Sequence, residues 1–244
     1  MIKSPILNVI DNACRKACKF LLRDYFELAE LQSSVRSNSN FIERSRRKIL
    51  ESLVYELSLK KGDCPIKVIN LDNELETIYQ ASGNLSFIIN PLEGMKNFER
   101  ANPFFSVVIS VEDNNTKETL ISYVYAPAFG YCYFVAKGGG AWVENLLDHS
   151  NRARRMRVAQ NNNDSSYLCL QDFVDNDNVF TDKLRVISSS SIAACMLSAG
   201  QVNKICLKHF DYASHIAGKL MILEAGGVVL DSENFVAISN SKNS

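Results

Sequence analysis

The chain has no excess of charge of either sign: its 244 residues include 27 basic and 27 acidic side chains, so the formal net charge is zero. It therefore lacks the global electrostatic attraction that draws basic proteins to nucleic acids and anionic membranes. It also contains no apolar stretch long enough to cross a bilayer, and its N-terminus lacks the apolar segment of a secretion signal. We expect a cytoplasmic protein whose partners include neither a nucleic acid nor a membrane.

Paired cysteines and clustered histidines are missing as well. The seven cysteines are odd in number and scattered without a C-x-x-C pair. Cys14 and Cys18 share a helix face, but a second pair of zinc ligands is lacking. His149, His209 and His215 stand apart from one another and from any nucleophile. This pattern predicts reduced, buried thiols in a cytoplasm rather than a disulfide framework or a zinc site.

The size and composition are those of a soluble globular protein, with 46% hydrophobic and 22% charged residues. A chain of this length forms one large domain or two small ones packed closely together. The hydrophobic pattern changes near residue 150. We therefore predict an N-terminal α+β subdomain over 1–150 and a C-terminal α/β subdomain over 151–244, which together make one compact unit.

Helical periodicity is clearest near the N-terminus. Apolar residues recur at helical spacing over 5–30, and a second amphipathic segment spans 42–60. The polar stretch 33–40 between them is typical of a loop. Later segments over 189–199 and 212–224 also predict helices.

Short apolar runs bounded by turn residues predict the strands. Two of these runs flank Asp113-Asn114-Asn115, which indicates a hairpin, and Gly138-Gly139-Gly140 lies between strand-like runs, which favours a tight turn over a phosphate-binding loop. Hairpins mixed with helices favour the α+β class. The predicted strands lie at 67–69, 87–89, 105–111, 119–125, 132–136 and 228–230.

One segment carries a family resemblance. Asn90–Phe98 reads N-P-L-E-G-M-K-N-F after a strand-like run, and it resembles D-P-[IL]-D-G-T-x-N-F, the metal-binding signature of the inositol monophosphatase family. Val124–Pro127 resembles the V-Y-A-P of that family, Phe210–Ala213 its W-D-x-A, and Glu224–Val228 its E-A-G-G-x. Their order and spacing identify the chain as a member, similar to bacterial proteins of the SuhB type, over most of its length.

The resemblance implies a fold, an activity and partners. The implied fold is the layered α-β-α-β-α sugar-phosphatase sandwich, usually a homodimer. Family members hydrolyse small phosphate monoesters with two or three Mg²⁺ ions, which activate a water and stabilise developing charge. Mg²⁺ prefers anionic oxygen ligands, and the family supplies them from G-E-E, D-P-x-D-G-T and W-D motifs. Some SuhB-type relatives are linked to the transcription machinery, so the resemblance also admits a protein partner.

The first acidic motif of the family, G-E-E, is not preserved in this chain. In one register Asn70 and Leu71 stand where the two glutamates of G-E-E belong; another register offers Asp72 or Glu74 instead.

The second acidic motif has changed too. Asn90 replaces a metal-bridging aspartate with an uncharged amide, while Leu92 could still offer its backbone carbonyl. Glu93 is one methylene longer than the family aspartate, which moves its oxygen by about 1 Å. Asp211 is retained, although an aspartate here could also serve as a helix N-cap.

The positions that activate water and hold phosphate have changed as well. The family pairs an acid with the threonine of D-G-T, and here these are Arg46 and Met95, which cannot take up a proton as that pair does. Backbone N–H groups of Gly94 and Met95 are expected at a helix N-terminus that favours phosphate. Arg46 either pairs with phosphate or is a solvated helix arginine. Ser189 and Ser190 resemble a substrate-contacting G-S-A segment, with a helix cap as the alternative.

These substitutions predict a family protein whose Mg²⁺ site is degraded. In the first register the charge of the site falls from about −4 to about −2, which weakens the attraction for divalent cations. We expect little or no phosphatase activity and a binding or regulatory role. The alternative is an active Mg²⁺-dependent phosphomonoesterase that hydrolyses inositol monophosphate or a related ester and uses Asp72 or Glu74 together with Glu93 and Asp211.

Overall fold

The computed structural model describes residues 3–30, 35–148, 152–160, 168–170, 184–207, 210–231 and 236–239.

Two long helices form the N-terminal part of the fold. Helix α1 (Pro5–Glu30) confirms the predicted segment, with Pro5 in the first turn, where its missing N–H is tolerated. Its apolar stripe is buried because these residues recur on one helix face. The stripe includes Leu7, Ile10, Cys14, Ala17 and Leu21.

Helix α2 (Val35–Lys60) starts earlier than predicted. The loop prediction for 33–40 was wrong from Val35 onward, while residues 33 and 34 lie outside the described residues. Serine and asparagine favour turns, but extending an existing helix costs far less than starting one. The amphipathic segment over 42–60 therefore carries the preceding polar residues into the same helix.

The first sheet has eight strands in the order β2-β1-β3-β4-β5-β6-β7-β8, and only β1 and β3 pair in parallel. The predicted hairpin around Asp113 connects β4 to β5. The five predicted runs from 67 to 136 all fall on strands of this sheet, although β3 extends beyond its predicted run 87–89 at both ends. The strands are β1 (Ile66–Ile69), β2 (Leu75–Tyr79), β3 (Leu85–Glu93), β4 (Ser106–Asp113), β5 (Thr119–Ala126), β6 (Tyr131–Ala136), β7 (Gly140–Asn145) and β8 (Ala153–Arg155).

The glycine run between β6 and β7 is a tight turn, as predicted. Gly138 and Gly140 adopt φ of +73° and +77°, which glycine tolerates without strain. Their N–H groups donate to the two carboxylate oxygens of Glu224, at 2.6 and 2.9 Å. The anion held by this turn is therefore a side chain of the same protein, at the C-terminal end of helix α5 (Tyr212–Glu224).

The second sheet has five strands in the order β10-β9-β11-β13-β12. Strands β10, β9 and β11 run parallel, and β13 is antiparallel to both β11 and β12. The predicted strand over 228–230 and the two predicted helices over 189–199 and 212–224 are confirmed. The remaining elements are α3 (Met95–Glu99), β9 (Leu168–Leu170), β10 (Leu184–Val186), α4 (Ser190–Ser198), β11 (Lys204–Cys206), α5 (Tyr212–Glu224), β12 (Val228–Asp231) and β13 (Val236–Ile238).

Two apolar clusters hold these layers together. Helices α1 and α2 pack on one face of the first sheet, while α4 and α5 pack on its other face and contact the second sheet. The predicted α+β class is confirmed. The subdomain boundary at residue 150 stays a prediction, and strand β8, which follows it, pairs with β7. None of the helices in the described part of the chain is long and apolar enough to cross a membrane.

Candidate functional site

Strand β3 ends in the N-P-L-E segment and carries three of the predicted site residues. Asn90 is buried, and its side-chain oxygen accepts a hydrogen bond from the N–H of Leu92 at 3.1 Å. Leu92 is 1% exposed and packs in the cluster beneath α1 and α2. The amide of Asn90 therefore stabilises the bend of its own segment.

The carboxylate of Glu93 is surrounded by hydroxyl and amide donors from helix α4. The hydroxyls of Ser189 and Ser191 donate to Oε2 at 2.6 and 2.7 Å. Ser190 donates to Oε1 through its backbone N–H at 2.9 Å and through its hydroxyl at 3.3 Å. Ser106 lies opposite Glu93 in the β3–β4 pairing, 3.5 Å from Oε2, and its hydroxyl contacts that of Ser191 at 2.8 Å. Both carboxylate oxygens thus accept from groups of the protein.

Burial governs the ionisation of Glu93. Only 5% of the residue is exposed, and this desolvation raises the pKa of Glu93 above its usual value. The hydrogen bonds from Ser189 and Ser191 oppose the shift by stabilising the anion, whereas the negative charge of Asp211 adds to it. Removal from water is the largest cause, so the serine donors offset only part of the desolvation cost.

Asp211 is the N-cap of helix α5. Its Oδ1 accepts from the N–H of Ser214 at 2.9 Å, and its Oδ2 accepts from the hydroxyl of the same residue at 2.6 Å. Such a cap satisfies one of the free N–H groups at a helix start. The N-cap alternative for Asp211 is thus the geometry observed, and its carboxylate remains close enough to influence Glu93.

Gly94 and Met95 begin the short helix α3. Gly94 adopts φ of +78°, and a Cβ on it would lie 2.5 Å from the carbonyl oxygen of Phe104, so only glycine fits. Met95 is partly buried and packs against the α1–α2 cluster. Asn97, in the first turn of α3, donates to the carbonyl oxygens of Phe104 at 2.8 Å and Ile187 at 2.9 Å. This amide fixes the chain just ahead of the serine run.

The end of strand β1 is organised by Asn70. Its side-chain oxygen accepts from the N–H groups of Asp72 at 3.0 Å and Glu74 at 2.8 Å. Asp72 and Glu74 are exposed on the turn that leads into β2. Asn70 therefore stabilises this turn through its side chain, and the register that places it at a glutamate position of the family stays a prediction.

Arg46, on helix α2, also contacts the end of β1. Its guanidinium donates to the carbonyl oxygen of Ile69. Burial lowers the pKa of Arg46, and the charge of Glu43 opposes that shift. Arg46 is therefore held against the backbone next to Asn70.

The structure brings Glu93, Ser189 and Ser190 into direct contact, with Asp211 nearby. Asp72 and Glu74 do not join them: within the described ranges, no group of three or more acidic, histidine or cysteine side chains is placed to hold a metal ion. Sequence reasoning missed the roles of Ser106 and Asn97. The only sequence signal for them is their place beside the N-P-L-E-G segment, because cross-strand pairing is visible only in the folded chain.

The fold and the order of the sequence motifs agree with a comparison against known families. Residues 3–237 match the Inositol monophosphatase family, and the chain belongs to that family. It is 27% identical over 250 residues to the Inositol-1-monophosphatase of Mesorhizobium japonicum, covering 96% of this chain and 88% of that protein. It is 25% identical over 250 residues to the Nus factor SuhB of Pasteurella multocida, covering 93% and 85%.

Solved structures confirm the predicted sandwich. The extragenic suppressor protein SuhB from Bartonella henselae superposes with a TM-score of 0.78 at 23% identity, covering 97% of this chain and 95% of that one. The inositol monophosphatase from Anabaena superposes with a TM-score of 0.70 at 16% identity, covering 97% and 91%. At these identities the likeness shows the fold alone.

Proposed function

We propose that this member of the family has little or no phosphatase activity and acts as a binding or regulatory protein. The observation that carries the proposal is the environment of Glu93. Its carboxylate is buried and accepts hydrogen bonds from Ser189, Ser190 and Ser191. Glu93 corresponds to a metal position of the family, and the serines correspond to a substrate position. In this chain these residues bind each other.

The residues at the metal positions do not fit the two or three Mg²⁺ ions that the family implies. Mg²⁺ needs several oxygen ligands in near-octahedral geometry and favours carboxylates. Asn70 and Asn90 offer uncharged amides, and each amide oxygen already accepts a backbone N–H. The carboxylates of Glu93 and Asp211 are engaged by serine donors. We therefore assign no step of a reaction to a bound metal.

The positions for activating water support the same proposal. A general base must accept a proton at neutral pH. Arg46 cannot do so, because a guanidinium stays protonated and this one is bonded to the carbonyl oxygen of Ile69. Met95 carries a thioether that packs against apolar neighbours. Neither residue can accept a proton from a water molecule.

The regulatory part of the proposal draws support from relatives. Several curated relatives at 24–25% identity, from Pasteurella multocida and Escherichia coli, carry the name Nus factor SuhB. We propose that this chain likewise acts through a protein partner, as a homodimer in the cytoplasm. The six cysteines whose side chains are described are free thiols, as a reducing compartment favours.

Active hydrolysis of inositol monophosphate or a related ester is the alternative. The 27% identity to an enzyme named Inositol-1-monophosphatase favours it. This function would require Asp72 or Glu74 to turn toward Glu93 and Asp211, and the release of Glu93 from its serine partners. A small phosphate ester would then be the ligand.

Calorimetry and turnover in one preparation test the proposal. The folded protein would be titrated with Mg²⁺ and Mn²⁺ and assayed on inositol 1-phosphate, with the Asp211→Asn variant as a control for contaminating phosphatase. We expect no saturable metal binding at millimolar concentration. Any residual turnover should be the same in Asp211→Asn, because it would come from a contaminating phosphatase. Metal binding together with turnover lost in Asp211→Asn would overturn the proposal and establish the alternative.

A further inference from the structure

A cavity of about 400 Å³ opens between helix α5 and the strand ends of the first sheet. It lies away from Glu93 and the serine run: none of its lining residues is one of the positions discussed above for metal or phosphate. Ligand sites for small molecules typically occupy about 300–1,000 Å³. The cavity therefore has the size of a small-molecule site and a location that the proposed function does not use.

The floor of the cavity is an apolar stripe of α5. Tyr212, Ile216, Leu220 and Leu223 are spaced by three or four residues, so they share one face of the helix. Tyr212 is 40% exposed and Leu223 is 49% exposed, although both are large hydrophobic residues. The hydroxyl of Tyr212 donates to the buried carboxylate of Glu112, which fixes the ring in place. The two ends of the stripe are therefore open to solvent, while Ile216 and Leu220 between them are each 8% exposed.

The rim of the cavity is basic. Its lining residues include three lysines, Lys117, Lys137 and Lys219, and one acid, Glu118. Glu118 is paired with Lys137. In the part of the chain that the structure describes, Lys117 and Lys219 have no ion pair. His215 also lines the cavity, and burial lowers its pKa.

The position of Lys117 is set by the β4–β5 turn. Lys117 adopts φ of +58°, and its N–H donates to the carbonyl oxygen of Asp113 at 2.9 Å. The carboxylate of Asp113 accepts from the N–H groups of Asn115 and Thr116, which closes the turn. Lys117 is therefore presented by a hydrogen-bonded turn rather than by a loosely held loop.

We propose that this cavity binds a small amphipathic organic anion, a carboxylate or sulfonate with an alkyl or aryl body. The apolar stripe of α5 would take the body, while Lys117 and Lys219 would pair with the anionic head. A neutral apolar molecule would leave both lysines without an ion pair, although the carboxylate of Asp113 lies near Lys117, and a small inorganic anion would leave the stripe exposed to water. An organic cation would be repelled by the rim.

Fluorescence titration tests this inference with defined probes. The aromatic sulfonate 8-anilinonaphthalene-1-sulfonate would be bound to the intact, folded protein and displaced by octanoate, with octanol and inorganic phosphate as comparison ligands. The test variants are Lys117→Ala combined with Lys219→Ala, and Leu223→Ser, all at exposed positions. Lys19→Ala, at an exposed position on α1, is the matched control. Backbone chemical shifts would locate the bound octanoate.

The inference predicts saturable binding in which octanoate competes at least tenfold better than octanol or phosphate. The double lysine variant should weaken octanoate binding at least fivefold, and Leu223→Ser should weaken it as well. Lys19→Ala should bind like the unmodified protein. The inference is overturned if octanoate does not bind saturably, if the lysine variant binds unchanged, or if the shift changes lie outside 117–119, 137 and 212–223.

Discussion

The hydroxyl of Ser189 donates to Oε2 of Glu93 at 2.6 Å, across 96 positions of the chain. This hydrogen bond joins the end of strand β3 to the start of helix α4, where Ser189 is also the N-cap. A carboxylate at a helix start is stabilised by the free N–H groups and the helix dipole. The contact, together with those of Ser190 and Ser191, gives this buried acid its hydrogen-bond donors within the protein.

Replacing Glu93 by alanine is expected to destabilise the protein by at least about 2 kcal/mol. The change removes the common acceptor of three buried serine hydroxyls, and each buried polar group left unpaired costs about 1–3 kcal/mol. Urea unfolding would measure the loss, with Glu51→Ala on the exposed face of α2 as a control expected to stay within about 0.5 kcal/mol. The loss should be equal in EDTA and in Mg²⁺. A loss of stability seen only with Mg²⁺ would show that a metal ion, and not the serine hydroxyls, is the stabilising partner of Glu93.

The stability contribution of Glu93 should depend on pH in a defined direction. Burial raises its pKa above the usual 4.5, so the folded state holds the proton more tightly than the unfolded state. The stabilisation is complete below the unfolded pKa and is lost as pH rises through the folded pKa.

The comparison with Glu93→Gln, whose amide does not titrate, isolates this effect. The unfolding free energy of the unmodified protein relative to Glu93→Gln should increase as pH falls from 8 toward 5. Urea unfolding at several pH values gives this difference, and the contributions of other groups cancel in it. A difference that stays constant, or that grows with rising pH, would show that the pKa of Glu93 is not raised.

Gly94→Ala should be far more damaging than Gly138→Ala, although both glycines have positive φ. A Cβ at Gly94 would lie 2.5 Å from the carbonyl oxygen of Phe104, whereas one at Gly138 meets nothing within 4 Å. Gly138→Ala should cost about 1–2 kcal/mol for the left-handed backbone alone. Gly94→Ala should add about 1–3 kcal/mol of overpacking. Thermal or urea unfolding of the pair measures both, and equal losses would refute the steric argument.

Asp211→Ala should cost about 1 kcal/mol by removing the cap of α5, within the usual range for N-cap replacements. Asp211→Asn should retain most of the stability, because asparagine caps a helix as well as aspartate does. The measured quantity is the unfolding free energy of both variants without metal. Equal losses in the two variants would indicate that the charge of Asp211, rather than its capping of Ser214, provides the stability.

Glu144→Ala should destabilise the protein by about 3–5 kcal/mol, because it breaks a buried ion-pair network. Glu144 pairs with Lys3 at 2.7 Å and with Arg15, and Lys3 also pairs with Asp11 at 2.9 Å. Glu118→Ala removes an exposed pair instead and should cost less than about 1 kcal/mol. Chemical unfolding of both variants gives the comparison, and similar small losses would show that the buried network contributes little.

Much of the local structure could be predicted from residue order. The apolar spacing of Leu7, Ile10 and Cys14 predicts α1 because helical periodicity is a property of neighbouring residues. The Asp113 hairpin follows from turn chemistry in the same way. The prediction failed at residues 35–40 of α2, where extension of the adjacent helix outweighed the turn preference of serine and asparagine.

The sequence by itself determined the family, most of the helices and the amide at position 90 in place of the motif's aspartate, since motif order and residue type need no folding to be seen. Only the tertiary structure decided where the carboxylate of Glu93 is directed. Its donors Ser189, Ser190 and Ser191 lie 96 to 98 positions away, and they reach it because the start of α4 lies against the end of β3 and packs on β4. A buried carboxylate requires donors, and which donors lie within reach depends on how distant segments pack together.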